Sequence, residues 1–184
     1  ALVTRPELEV VGVLDRSPER VGKSLFDVVP SAVPDLVVQD DPTEALARGK
    51  GGGLVHATGS RLVGVADELE RCLTAGLNVV STCEELSFPW IRQPQLAERL
   101  DAVANRMGVA LVGGGVNPGF VMDRLPVLLS AATGRISRVV VRRSVDATRR
   151  RLALQRKVGI GLTPAEFARG VETGTLGHIG LMES

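Results

Sequence analysis

Residues 78–90 read NVVSTCEELSFPW. Val79 and Val80 are β-branched and open a short strand, after which the chain turns polar through Ser81, Thr82, Cys83, Glu84 and Glu85. Phe88, Pro89 and Trp90 follow, the last being the one tryptophan of the chain. In an open α/β sheet, ligands bind in the crevice beyond the carboxyl ends of the strands. Two carboxylates at such a strand end have two readings. Either they cap the next helix and face water, or the apolar rings beside them tune a carboxyl group for acid/base work.

The flanking segments supply the sheet that this reading needs. Residues 62–75 place Leu62, Val65, Ala66, Leu69 and Leu73 at helical spacing and stop at Gly76. Residues 54–57, LVHA, form a strand signal before that helix and end in Thr58, Gly59 and Ser60. Residues 94–107 repeat the helical pattern with Leu96, Leu100, Val103 and Met107, and Gly108 ends it. Residues 109–112 then predict a strand leading into GGGVNPGF at 113–120.

Further out, EVVGVL at 9–14 and DLVV at 35–38 predict strands, and 42–48 predicts a short helix capped by Asp41 or Thr43. Ser17 followed by Pro18 predicts a helix start. Residues 120–132 predict a helix kinked at Pro126, and SRVVVRRSV at 137–145 a longer strand. Thr163-Pro164-Ala165-Glu166 is a capping-box start for a helix ending near Gly170.

Strands alternating with helices imply a mostly parallel sheet. The expected fold class is α/β, a Rossmann-type parallel sheet without its first strand and Gly-rich loop, followed by part of an α/β substrate domain. The boundary falls near Asn117, giving domains 1–116 and 117–184. The opening ALVTRPELEVVG reads as the last turn of a helix entering a strand, and Glu183-Ser184 closes no element, so the sequence reads as a fragment at both ends.

Composition removes several classes of partner. With 44% hydrophobic and 23% charged residues the chain reads as a globular domain, and its 184 residues suffice for one domain plus part of a second. A net charge of +1 and 3% aromatics without tyrosine give neither a nucleic-acid footprint nor a base-stacking surface. No apolar run spans a bilayer and no signal peptide is visible, so no membrane partner is expected. Cys72 and Cys83 lack metal-ligand spacing, and Cys72 sits on a predicted helix. No metal, no disulfide and a reducing, cytoplasmic setting are expected.

Five motifs carry possible chemistry. Asp15 ends its strand where a dinucleotide fold places the carboxylate that accepts ribose hydroxyls. Arg16 and Ser17 would instead take a ribose phosphate, and a plain helix cap is the third reading. GKGGG at 49–53 lacks P-loop spacing and reads as a surface turn. His56 reads as a packed strand residue, while Thr58 and Gly59 permit close approach of a flat cofactor to the backbone. Asn117, in the Gly-rich turn, either hydrogen-bonds a ligand or merely crosses between domains. Arg149, Arg150, Arg151, Arg156 and Lys157 either bind an anionic group or solvate a loop. His178, between Gly177 and Gly180 near the end, either faces a cleft or is packed.

Together, LDRSPERVGK, HATGS, NVVSTCEELSFPW, GGGVNPGF, the DATRRR to LTPAEF block and GHIGLMES resemble the 2,4-diaminopentanoate dehydrogenases and the related native amine dehydrogenases. Their cofactor domain is similar to that of dihydrodipicolinate reductase. The resemblance covers nearly the whole chain, most specifically at CEEL-aromatic-Pro and GVNPGF. It implies a Rossmann domain followed by an α/β substrate domain in a homodimer. It further implies NAD or NADP as cofactor, an amine or ketone and ammonia as substrates, and reversible oxidative deamination. A glutamate of the CEEL segment, Glu84 or Glu85 with Glu84 preferred, would contact the amine nitrogen. Asp15 and Arg16 would face the adenosine ribose, Thr58 and Gly59 the middle of the cofactor, and Thr82 the nicotinamide end. Asn117, Pro118 and Gly119 would close the nicotinamide side, with Phe88, Asn117 and His178 at the substrate. A cyclic-imine reductase like dihydrodipicolinate reductase and a non-catalytic NAD(P)-binding sensor are the competing readings.

Overall fold

The computed structural model describes residues 5–29, 35–150 and 152–184. The predicted last helical turn at the start lies partly outside the described residues, as does Arg151 of the basic cluster. Two compact units result: one within Ala1–His56, Asp67–Val80 and Arg99–Leu111, the other within Ala57–Ala66, Ser81–Glu98 and Val112–Ser184.

In the first unit the predicted strands at 9–14 and 35–38 shrink to isolated bridges, Leu14 with Gln39 in parallel and Ser24 with Val37 antiparallel. Asp15 N donates to Gln39 O and Gln39 N to Val13 O, both at 3.0 Å. A strand needs a neighbour for each backbone N–H and C=O. Among the described residues none pairs with 9–12, and a turn from Arg5 O to Leu8 N precedes them.

The helix predicted at Ser17 is also cut short. Arg20 N and Val21 N donate to Ser17 O at 2.9 and 3.0 Å, and Gly22 at φ +80° then swings the chain away. Helix α1 (Leu25–Val28) starts later, at Ser24, whose hydroxyl accepts Phe26 N. Helix α2 (Pro42–Arg48) starts as predicted, with Asp41 as cap accepting Thr43 N and Pro42 in the first turn.

The predicted βαβαβ succession forms. Strand β1 (Gly53–His56) leads to α3 (Leu62–Thr74), β2 (Asn78–Ser81), α4 (Pro94–Met107) and β3 (Leu111–Gly113). The strands make a parallel sheet in the order β1-β2-β3. In the first unit, Leu69, Leu73, Leu77, Val79, Leu100 and Val103 are all buried. Truncating one such leucine costs about 2–5 kcal/mol, so this apolar face, not helix propensity, fixes the two helices. Gly76 and Gly108 end them at φ +82° and +67°. Strand β3 starts later than predicted because Val109 N still bonds back to Ala104 O, and Ala110 N is taken by the Asn78 side chain.

In the second unit, Phe120–Arg124 winds as a wide π turn before α5 (Leu125–Ser130). Pro126 has no N–H, and in a regular helix its ring would crowd the carbonyl four residues back. The wide turn opens that space, so the kink expected at the proline sits just ahead of it. The strand predicted at 137–145 does not form. Among the described residues no segment bonds to its backbone, and Val139 and Val140 are each 59% exposed. Alternating valines specify a face, but only a partner strand makes a ladder. The loop expected through the basic cluster contains α6 (Leu152–Lys157). Helix α7 (Pro164–Glu172) has the predicted Thr163–Glu166 capping box. It runs past Gly170 because that glycine packs against Leu176 instead of stopping the helix. Among the described residues no helix is long and apolar enough to cross a membrane.

Candidate active site

At the end of β2 the chain folds onto its own side chains. Ser81 is fully buried, and its hydroxyl accepts Cys83 N at 3.1 Å. Cys83 is buried too, and its Sγ donates to Ser60 O at 3.3 Å. Burial pushes this thiol up to about 11, so it stays protonated and is no nucleophile near neutral pH. The next residues, Glu84–Ser87, form a 3-10 turn. Successive side chains of such a turn diverge by about 120°, so the two adjacent carboxylates are sent different ways.

Glu85 is buried, at 4% exposure. Its Oε2 accepts the backbone N–H of Leu62 at 2.8 Å, and its Oε1 lies 3.9 Å from Arg61 Nη1. Leu62 is the first residue of α3, whose leading N–H groups have no partner within the helix. A carboxylate there satisfies a backbone donor and meets the positive end of the helix dipole. Glu85 thus serves as a cap supplied from 23 residues downstream.

Glu84 is turned to different neighbours. Its Oε1 accepts from Lys157 Nζ at 3.4 Å, with both side chains about one-fifth exposed. Lys157 is the last residue of α6, and its carbonyl accepts Gly177 N at 2.9 Å, tying the helix end to the 177–180 segment. On another side Gly180 presses in: a Cβ there would stand 2.7 Å from Glu84 Cβ and 2.8 Å from Pro118 Cγ. Gly180 is held at φ +82°, so both its backbone and its space exclude a side chain.

The Gly-rich turn after β3 packs beside this. Gly114 N donates to Ser81 O at 2.7 Å, joining the ends of β2 and β3. A Cβ on Gly115 would lie 2.4 Å from Pro118 O, which explains a glycine there. Gly119, at φ +123°, donates its N–H to Asp123 Oδ2 at 2.6 Å, and Ser184 Oγ donates to the other oxygen of that carboxylate at 2.9 Å. Asn117 reaches His178, with Nδ2 and Nε2 3.4 Å apart. His178 Nδ1 lies 2.8 Å from Ile179 O, and a carbonyl only accepts, so Nδ1 carries the proton. In the neutral ring Nε2 then accepts from Asn117. Asn117 Oδ1 is buried with no hydrogen-bond partner among the described residues.

Of the predicted residues, the second unit therefore gathers Glu84, Asn117, Pro118 and His178 around Gly180. Glu85, one residue from Glu84, is committed to α3. Thr82 is exposed beyond β2, and Thr58 is exposed beyond β1. Gly59 is required by its own packing, since a Cβ would meet Val65 at 2.8 Å. Phe88 is half exposed and stacks obliquely on Trp90, with ring centroids 5.8 Å apart.

In the first unit, Asp15 Oδ1 accepts Ser17 N and its Oδ2 accepts Arg20 Nη1, each at 2.8 Å. The Ser17 amide and the Arg20 guanidinium hold its carboxyl below the usual range. Arg16 forms an ion pair with Glu68, whose other oxygen lies 3.2 Å from His56 Nε2. His56 is packed, as its strand position implied.

Two residues of the site were missed by sequence reasoning. Lys157 was legible only as part of a basic cluster, because its partner is 73 residues away. Gly180 was noted only as a neighbour of His178.

Residues 120–184 match the family model for the 2,4-diaminopentanoate dehydrogenase C-terminal domain. The chain is 30% identical over 186 residues to the 2,4-diaminopentanoate dehydrogenase of Acetoanaerobium sticklandii, covering 100% of this chain and 52% of that protein. It thus spans about half the length of this curated relative. A solved amine dehydrogenase from Mycobacterium smegmatis matches with a TM-score of 0.59 and 31% identity, over 69% of this chain and 38% of the other. The resemblance read from the sequence is borne out.

Proposed function

We propose that this chain, a relative of the 2,4-diaminopentanoate and amine dehydrogenases, is part of an NAD(P)-dependent oxidoreductase that reversibly deaminates an amine or diamino acid to a ketone and ammonia. Read towards deamination, amine, water and oxidised cofactor give ketone, ammonia, reduced cofactor and a proton. The observation that carries this reading is the division of labour between the two adjacent glutamates. Glu85 is consumed by the Leu62 amide, whereas Glu84 keeps a partly exposed carboxylate facing Lys157 and no backbone donor among the described residues.

Glu84 is assigned the amine. Its carboxylate accepts an N–H of the substrate in a charge-assisted hydrogen bond and takes a proton as water adds to the oxidised carbon. The residues present fit the cofactor. The orphaned acceptor Asn117 Oδ1 suits an amide N–H such as that of a nicotinamide carboxamide, and leaving such an atom unpaired costs about 1–3 kcal/mol. Asp15, kept ionised, suits ribose hydroxyls, with Ser17 beside it. Thr58, Gly59, Thr82, Pro118 and Gly119 are assigned the remaining cofactor contacts, and Phe88 and His178 the substrate. When bound, the nicotinamide ring supplies the hydride acceptor. NAD is the favoured form, because Asp15 is assigned the ribose hydroxyls and Arg16 is engaged by Glu68.

The domain boundary near Asn117 is supported by the family match that begins at residue 120. A homodimer in the cytoplasm completes the reading. The test is amine-dependent reduction of NAD or NADP by the full protein, with release of ammonia. Cofactor binding without turnover assigns a sensor instead, and turnover confined to cyclic imines assigns a reductase.

A further inference from the structure

The cation beside Glu84 poses a chemical question. A carboxylate that binds an amine at neutral pH attracts the ammonium form, which dominates in water because alkylammonium groups ionise near pH 10. Ammonium is the wrong form for the reaction: it has no lone pair to push behind a departing hydride. Lys157 Nζ stands 3.4 Å from Glu84 Oε1, and its backbone is pinned by Gly177 N to Lys157 O at 2.9 Å. The cation is therefore a placed feature of the site, at the end of a helix, where a positive charge also meets the negative end of the dipole.

We propose that Lys157 is a positioning residue that sets the protonation state of the bound amine: by neutralising Glu84 it makes the site accept the free amine and repel the ammonium ion. The inference rests on the deaminase reading and adds the form of substrate that the site takes. A like charge nearby disfavours the charged form of an ionisable group, and an ion pair already formed offers a second cation little. The remaining neighbours do not do this work. Gly180 and Pro118 carry no charge. Glu85 is bound to the Leu62 amide and faces Arg61, and the Cys83 thiol stays protonated. On α6 the adjacent Arg156 is exposed, and His178 is bonded to Asn117 and Ile179.

The experiment compares Lys157→Met, Lys157→Gln and Lys157→Arg with wild type and with Glu84→Gln in the full protein. It measures kcat and KM for a simple primary amine against pH, with thermal melting as a check on folding. Loss of the cation should lower the amine KM severalfold at pH 7, because a lone carboxylate binds ammonium. It should also lower kcat about tenfold and move the acid limb of the kcat profile up by about one pH unit. Lys157→Arg keeps the charge and should stay near wild type. The Gln variant decides the matter if the Met variant does not fold. A kcat profile that stays in place, or a KM that rises with the fall in kcat, overturns the inference while an inactive Glu84→Gln leaves the deaminase reading standing. A fully active Glu84→Gln overturns both.

Discussion

Glu85 Oε2 accepts the Leu62 backbone N–H at 2.8 Å, while Glu84, its neighbour, turns to Lys157. One carboxylate caps a helix, and the other, facing Lys157, is the one proposed to take the amine. Glu85→Ala removes a charge-assisted cap and strands a helix donor, which should cost about 1–3 kcal/mol. Urea denaturation measures this. A stability change below about 0.5 kcal/mol contradicts the assignment.

Cys83 gives a pH dependence with a definite sign. Its folded-state value of about 11 lies above the ordinary 9.0, so the folded protein binds the proton more tightly than the unfolded chain. Its contribution is fully present below about pH 9 and is lost as the pH rises towards about 11. Cys83→Ala should flatten the loss of stability across that window. In the native protein iodoacetamide should label neither cysteine at pH 8, since both are buried, and unfolding should expose both.

Gly180→Ala places a methyl group where Glu84 and Pro118 already stand, at a backbone angle that side chains avoid. Such strain costs about 1–3 kcal/mol. Because the displaced group is Glu84, kcat should fall by more than the change in melting temperature explains. Gly134→Ala, with open space and no positive φ, is the control and should leave both nearly unchanged.

The proposed preference for NAD rests on Asp15 and the Arg16–Glu68 pair. Asp15→Ser should weaken NAD about tenfold, the scale of a lost hydrogen bond to a charged group. Glu68→Gln releases Arg16 and should improve kcat/KM for NADP relative to NAD. An unchanged ratio in both variants contradicts the ribose assignment.

The legible parts of this chain were those written in one local pattern. Leu62, Leu69 and Leu73 repeat at helical spacing, and Thr163 with Glu166 announces a cap, so α3 and α7 could be placed from sequence. Residues 137–145 misled because alternation shows which side chains share a face but not whether a partner strand exists. Ser17 misled because Gly22, five residues on, turns the chain before a helix can propagate. Lys157 and Gly180 were illegible because their meaning lies in Glu84, across most of the second unit's sequence.

The most direct test is the paired exchange Glu84→Gln and Glu85→Gln in the full protein, each assayed for amine-dependent reduction of NAD at saturating cofactor. Glu84→Gln should lose deamination by at least about a hundredfold, the lower scale of general acid–base catalysis, with cofactor affinity and melting temperature preserved. Glu85→Gln should retain turnover and lose stability. Retained turnover in Glu84→Gln, with the loss appearing in Glu85→Gln instead, contradicts the assignment of the amine to Glu84.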